Sequence, residues 1–345
     1  MQSRTFEIQD GTLIRCLTKE PQALIPDGVT VIGPDAFSDD NTVERIVFPA
    51  SVREIDARSC CECPNLREIV FNEHSDLRTI GAFAFSGCSV LKDISFPQGL
   101  DLIDESAFFG CKGFKNIIIP QSVSEIGRSA FEECSEAEVI TLPHSMKKLR
   151  TMAFCGCRSV EHIDFPQGPS KVENLTFFDC ISLAVVNLPD TVTDICQKAF
   201  AYCFDLSYIN FPQGLETIQK GAFCGCVSLE RINIPKDLMI LEPGTFEDCK
   251  TLTDVTLPDK YNNDLADQWS FRETIYYRKR HRLCARCGSR LRRFTVHCFH
   301  CGFDNSPVSS EILLARVNFP PPESDPRVKQ LDERAADERN EFDIS

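Results

Sequence analysis

The sequence predicts a solenoid, a coil of short near-identical units that stack on one another instead of folding around one central core. Three observations predict it. A phenylalanine, usually after alanine, returns at Phe37, Phe85, Phe108, Phe131, Phe154, Phe177, Phe200, Phe223 and Phe246, with Cys60 in the same column, and every step is 23 residues except Cys60 to Phe85, which is 25. Three residues later stands a cysteine, at Cys63, Cys88, Cys111, Cys134, Cys157, Cys180, Cys203, Cys226 and Cys249, with Asp40 in that place in the first unit. Finally, apolar and polar residues alternate in stretches such as Leu91 to Pro97 and Leu229 to Pro235, the mark of a short half-buried strand. A unit this small cannot bury its own apolar face, so neighbours must do it.

Each segment follows in order. Residues 1–25 form an N-terminal hairpin cap: Phe6 to Cys16 alternates around Asp10-Gly11, a strong hairpin-turn signal, and would cover the open end of the first repeat. Residues 26–258 are the repeats. In each, the strand ends at a proline, a second short extended segment follows, as at Val123 and Ile126-Gly127, and the Ala-Phe-x-x-Cys-x-x-Leu portion has helix-like or 3₁₀-like spacing on the opposite wall. Equivalent side chains would stack at about 4.8 Å, the distance between paired strands.

The pattern I-G-x-x-A-F-x-x-C-x-x-L-x-x-I-x-L-P resembles the BspA-like branch of the leucine-rich repeat proteins, and it runs from Gly11 to about Pro258. The resemblance implies a curved, right-handed leucine-rich repeat solenoid with a parallel β-sheet on one face and short helical or 3₁₀ and extended segments on the other. It also implies a surface that binds other molecules and no enzymatic activity. Many members are secreted or surface proteins, and here the sequence departs from them. Residues 1–10 lack the apolar run of a secretory signal, with charges at Arg4 and Glu7, so the expected location is cytoplasmic. No run of eighteen apolar residues occurs, and no membrane partner is expected.

There are 19 cysteines in 345 residues. Stacked cysteines could approach bridging distance, but one per repeat in a fixed column is the usage of a small buried hydrophobe. Reduced, structural thiols are therefore expected. Cys155 and Cys224, one residue after their phenylalanines, are expected to be more exposed, and a metal or redox role for Cys155-Gly156-Cys157 or Cys224-Gly225-Cys226 ranks below packing.

After Pro258 the period stops. Residues 259–280, with Trp269, are read as a C-terminal cap and linker. Residues 281–304 resemble a short zinc ribbon: Cys284 and Cys287, then Cys298 and Cys301, each pair trailed by glycine. Four thiolates close a tetrahedral site, so the expected cofactor is one structural zinc, with disulfides or a redox site ranked below it and His297 and His300 as bystanders. Residues 305–345 have the composition of an acidic, flexible tail.

Charge is uneven. The chain carries −14, yet Arg278 to Arg293 holds eight Arg or Lys and no acid, so the remainder carries −22. A basic ribbon can hold nucleic-acid phosphate, but a solvated basic face that docks on the protein's own acidic solenoid or tail ranks above it, since the acidic remainder would repel a polyanion. The leading reading is a monomeric, non-enzymatic scaffold for protein–protein interaction. A nucleic-acid-associated protein and a surface adhesin are the alternatives. Strand parity places two columns outwards, one through Ile118, Thr141, Asp164, Asn187, Asn210 and Asn233, the other through Asn116, Val139, His162, Val185, Tyr208 and Arg231. From these, His162, Asp164, Asn187, Tyr208, Asn210, Arg231 and Asn233 are the candidate partner-binding residues.

Overall fold

The computed structural model describes residues 5–17, 19–261, 271 and 274. They wind a parallel β-solenoid of about eleven turns, and each coil contributes three walls. The first is a front sheet of two- to four-residue strands, exemplified by His162–Asp164 and Val185–Asn187, which pair in parallel with Ile163 opposite Val186. The second is a sheet of mostly two-residue strands, such as Glu125–Ile126, paired between Leu102–Ile103 and Lys148–Leu149. The third is a wall of turns. One continuous apolar core runs up the middle, and the phenylalanine column is its axis: neighbouring rings lie flat on one another at 5.3 Å from Phe108 to Phe131 and 5.5 Å from Phe131 to Phe154.

The turn wall corrects one expectation. The helical or 3₁₀ segments are absent there; the one 3₁₀ segment among the described residues is Asp259–Tyr261, beyond the repeats. Two residues before and two after each aromatic position the backbone is left-handed, as at Ser129 (φ 54°) and Glu133 (φ 60°), and a left-handed residue ends a helix. Hydrogen bonding shows what replaces it. The Ser129, Phe131 and Glu133 amides donate to Thr151, Ala153 and Cys155 of the next coil at 3.0, 2.9 and 2.8 Å, while Glu132 and Cys134 donate back to Ser129 and Phe131 within the coil. Alternate amides therefore tie coils together, which an α-helix, with every amide turned inwards, could not do.

The cysteine column has a polar duty as well as a packing one. Each thiol from Cys63 to Cys249 donates to the carbonyl of the aromatic-column residue one coil back, at 3.0 to 3.4 Å. The first repeat has no such residue before it, and there Asp40 accepts instead, from the Thr42 and Val43 amides at 2.8 and 3.2 Å. The fifteen described cysteines are free thiols. Cys155 and Cys224 are a second correction, because both are buried. They belong to a separate apolar cluster on the outside of the turn wall, with Met152, Leu175, Phe178, Ala201, Tyr202 and Phe204.

The ends differ. At the N-terminus Phe6–Gln9 and Thr12–Cys16 form an antiparallel hairpin about Asp10 (φ 49°) and Gly11 (φ 78°), and its second strand extends the second sheet by pairing with Val31–Ile32. Two consecutive left-handed residues are what a tight two-residue turn requires, and Gly11 supplies one without strain. At the other end Phe271 stacks on Phe246 at 5.1 Å and the Thr274 amide donates to its carbonyl, repeating the Phe-x-x-Cys turn with threonine in the cysteine position. Cys284, Cys287, Cys298 and Cys301, the basic segment and the acidic tail lie outside the described residues.

Candidate partner-binding face

The front sheet is interrupted, and single residues explain two of the breaks. Lys115 and Asn116 donate their amides to the Asp93 carboxylate at 2.7 and 2.9 Å, whereas one coil later Glu138 and Val139 donate to a backbone carbonyl. The stretch Leu91 to Pro97, which the alternation marked as a strand, accordingly forms none, a correction to that expectation. Further on, Asn210 turns its amide into the sheet: its Oδ1 accepts from the Leu188 amide and its Nδ2 donates to the Leu188 carbonyl, both at 2.7 Å. Strand Tyr208–Ile209 shrinks to two residues, and pairing stops between it and Arg231–Asn233. The second sheet breaks once, between Lys148–Leu149 and Lys171–Val172. There Pro169 occupies the position whose amide, in Met146 and Val192, closes the corner turn.

What remains in the middle of the front face is a three-stranded unit, His162–Asp164, Val185–Asn187 and Tyr208–Ile209, with an open cleft on either side. One cleft, of about 390 Å³, runs between Val139–Thr141 and His162–Asp164 and is lined by Glu138, His144 and Glu161 among others. The other, of about 890 Å³, is lined by Tyr208, Asn210, Glu230, Arg231 and Asn233.

The seven candidate residues are thus brought together in two groups, on the three-stranded unit and around the larger cleft. His162, Asp164 and Asn187 form a wired cluster: Asn187 Nδ2 donates to Asp164 Oδ1 at 2.8 Å, and His162 Nε2 lies 3.0 Å from the same oxygen. The Asn187 amide is the leading cause that holds the Asp164 carboxyl below its ordinary range; burial opposes it, and His162 adds to it. Tyr208, 54% exposed, stands at the near lip of the larger cleft, and Arg231 and Asn233 at the far lip, where Arg231 Nε pairs with Asp254 at 3.0 Å. Asn210 is only half exposed, and its amide is fully engaged with Leu188. Parity also exposes Ile118 (58%) and Val139 (45%), apolar residues outside the candidate set that extend the face towards the N-terminus. Their outward direction was readable in the alternation.

No group of three or more His, Cys, Asp or Glu side chains among the described residues is arranged to hold a metal ion. The Cys155-Gly156-Cys157 and Cys224-Gly225-Cys226 pairs split their thiols between the outer cluster and the central core, on opposite sides of the backbone. One ion could not reach both. Among the described residues no helix is long and apolar enough to cross a membrane.

The family model described as "BspA type Leucine rich repeat region" matches the chain over residues 7–136, 54–184 and 170–276, in six copies. No curated protein matches. Among solved structures, a leucine-rich repeat protein from Bacteroides ovatus is 25% identical, with 79% of this chain and 97% of that one covered and a TM-score of 0.41. A leucine-rich cell surface protein from Faecalibacterium prausnitzii is 22% identical over 73% and 92%, with a TM-score of 0.43. The pneumococcal vaccine antigen PcpA is 18% identical over 75% and 80%, with a TM-score of 0.46.

Proposed function

The chain belongs to the BspA-type leucine-rich repeat family, and from that premise we propose that it is a non-enzymatic scaffold that binds a protein partner through its front sheet. Proteins of this repeat class are typically interaction scaffolds. The observation that carries the reading is the three-stranded unit flanked by two clefts, which sets an exposed tyrosine and an arginine on facing lips beside a prearranged His162–Asp164–Asn187 cluster. Tyrosine and arginine are the residue types that most often carry interface energy, and a cleft gives them a place to be desolvated. Exposed Ile118 and Val139 add apolar area at one edge. A purely solvated face would be richer in Lys and Glu.

The reading places the protein in the cytoplasm as a monomer, in keeping with free thiols in the coil. It also assigns one structural zinc to Cys284, Cys287, Cys298 and Cys301, on the strength of two Cys-x-x-Cys knuckles with glycine behind each. Elemental analysis of the purified protein should find about one equivalent, as four thiolates per ion require. Cys298→Ser should remove it and leave the far-ultraviolet dichroism of the coil unchanged; zinc retained in that variant would overturn the assignment.

The binding reading is tested by the double substitution Tyr208→Ala with Arg231→Ala. In capture from the protein's own cell lysate, the parent should retain a partner that the double variant loses, at an unchanged melting temperature. Equal capture by both would move the interaction off this face.

A further inference from the structure

We propose that the front sheet takes its partner as an extended strand, inserted between Tyr208–Ile209 and Arg231–Asn233 where the sheet's own pairing stops. This deepens the sheet-face binding proposed above and rests on it.

The coils on either side show what is missing. The Ser207 and Tyr208 amides both donate to the Ala184 carbonyl, at 3.0 and 3.2 Å, and the Thr253 and Asp254 amides both donate to the Glu230 carbonyl, at 2.9 and 3.2 Å. By that pattern Glu230 and Arg231 would donate to Ser207, yet among the described residues no carbonyl accepts from either amide. The other end of the strand repeats the loss. Phe165 and Ile234 donate to the carbonyls of Asn187 and Thr256 in the next coil, whereas Phe211, in the same column, does not reach Asn233. Because Asp254 bonds to Glu230, alternation aims the Arg231 amide the opposite way, into the larger cleft. Two sheet edges therefore face each other across it.

The edges also stand apart. Most Cα separations between the two strands exceed 8 Å. Paired strands lie about 4.8 Å apart, so the wall is parted towards the roughly 9.6 Å that a strand between them requires. The opening is confined to this wall: in the same two coils Thr217 still pairs with Ile240, and Phe223 still stacks on Phe246 at 5.3 Å. Parting the strands uncovers core side chains. In the neighbouring coils Val186, Leu188, Ile232 and Ile234 are at 4% exposure or less, but Ile209 and Phe211, in the same two columns, are only half-buried and line the cleft. The smaller cleft is the contrast. Pairing stops there too, between Val139–Thr141 and His162–Asp164, yet Ile140, Leu142, Ile163 and Phe165 remain buried.

The larger cleft thus lacks backbone partners and apolar cover together, and an extended polypeptide supplies both. It offers donors and acceptors along both edges and turns every second side chain inwards. A helix uses its amides internally and cannot. The strand that fits has apolar residues at alternate positions, directed at Ile209 and Phe211, with the side chains between them facing outwards beside Tyr208 and Arg231.

The probe is a fluorescent peptide copying Leu229 to Pro235, LERINIP, which has the required alternation. Anisotropy should show saturable binding to the full-length protein. An inserted strand uses both sets of alternate amides, one on each edge, so N-methylation of either set should abolish binding. Sensitivity to one set alone would mean addition to a single edge and would overturn insertion. Arg231→Pro removes the amide aimed into the cleft without breaking a bond within the coil, while Arg231→Ala keeps it. The proline variant should bind the peptide about tenfold more weakly than the alanine variant, as loss of one hydrogen bond predicts. If the proline variant melts lower, the methylated peptides decide. Equal binding by two variants of equal melting temperature, no binding by the parent, or a dimer of the protein that the peptide dissociates would each overturn the proposal. If the peptide fails while lysate capture still depends on Tyr208 and Arg231, insertion is wrong and the sheet-face reading stands; if the peptide binds as expected while capture ignores those side chains, that reading alone fails.

Discussion

The turn wall and the front sheet are built from the same 23-residue unit yet behave as opposites. On the turn wall the coils repeat one backbone solution: left-handed residues two before and two after the aromatic position, amides alternating between their own coil and the next, and, in every repeat after the first, a thiol returned to the previous coil. On the front sheet the solution is repeatedly broken, by Asp93 at one coil and Asn210 at another, and clefts open where pairing stops. The comparison teaches that the repeat's stability resides in the wall that is uniform, which leaves the other wall free to vary its side chains and even lose hydrogen bonds. Function is therefore to be sought on the front face, and the predictions below set the two walls against each other.

The largest effect should come from pH acting on the cysteine column. Burial pushes the thiols of Cys111, Cys134, Cys157, Cys180, Cys203 and Cys226 well above the ordinary range. The folded coil thus keeps them neutral at a pH where the unfolded chain would ionise. Stability is undiminished below the unfolded thiol pKa of about 8.5 and falls as pH rises above it, by about 1.4 kcal/mol per pH unit for each thiol. Denaturant titrations from pH 7 to 10 should show this steep alkaline loss, and a flat profile would mean that the column is neither buried nor reduced.

Next in size is the aromatic axis. Phe131 is fully buried between two parallel rings, and Phe131→Ala should cost about 3 to 5 kcal/mol. Phe246→Ala should cost less, even though Phe271 covers it, because only the last coil and that turn lie beyond and can fray separately. A smaller loss, about 1 to 3 kcal/mol, is expected for Cys134→Ala, which removes the donor to the Phe108 carbonyl and leaves a small void. Chemical unfolding of the three variants should rank them in that order; Phe131→Ala with wild-type stability would contradict the register.

Much of this was readable beforehand, and the failures have identifiable causes. Columns repeated ten times locate the corners, the core and most strands, since each copy checks the others, but the alternation of Leu91 to Pro97 marked a strand that Asp93 prevents by taking the next coil's amides. The turn wall misled because Ala-Phe-x-x-Cys has the i, i+3 spacing of a helix, and the bonds that forbid a helix run to residues 22 positions away, as from Phe131 to Ala153. Nor do glycines announce the left-handed positions, which Met152, Leu175, Lys198 and Tyr202 also occupy. Burial of Cys155 and Cys224 was missed because a single-coil pattern assigns the residue after phenylalanine to solvent. On the front face, alternation correctly placed His162, Asp164 and Tyr208 outwards, but nothing in it separates Asn210, which completes the backbone bonding of Leu188, from Asn187, which bonds to a side chain.

The smallest effect sharpens the comparison most. If the front face is a presented surface and not a structural one, its polar residues should be wired to one another with little consequence for the coil. Asp164 provides the test, since its carboxyl is held below the ordinary range chiefly by the Asn187 amide of the neighbouring strand. A lowered carboxyl contributes stability that is present above the unfolded pKa and is lost as pH falls through the folded one. Asn187→Ala removes the main support, so the Asp164 pKa should rise towards the ordinary value of about 3.9. Asp164 remains exposed, so the accompanying change in stability should be within about 0.5 kcal/mol, as for surface substitutions generally. Carboxyl-carbon NMR titration would read the pKa, and a thermal melt the stability. A melting temperature lowered as far as in Cys134→Ala would show that the asparagines hold the coil together, and the distinction between a closed structural wall and an open binding wall would then fail at its centre.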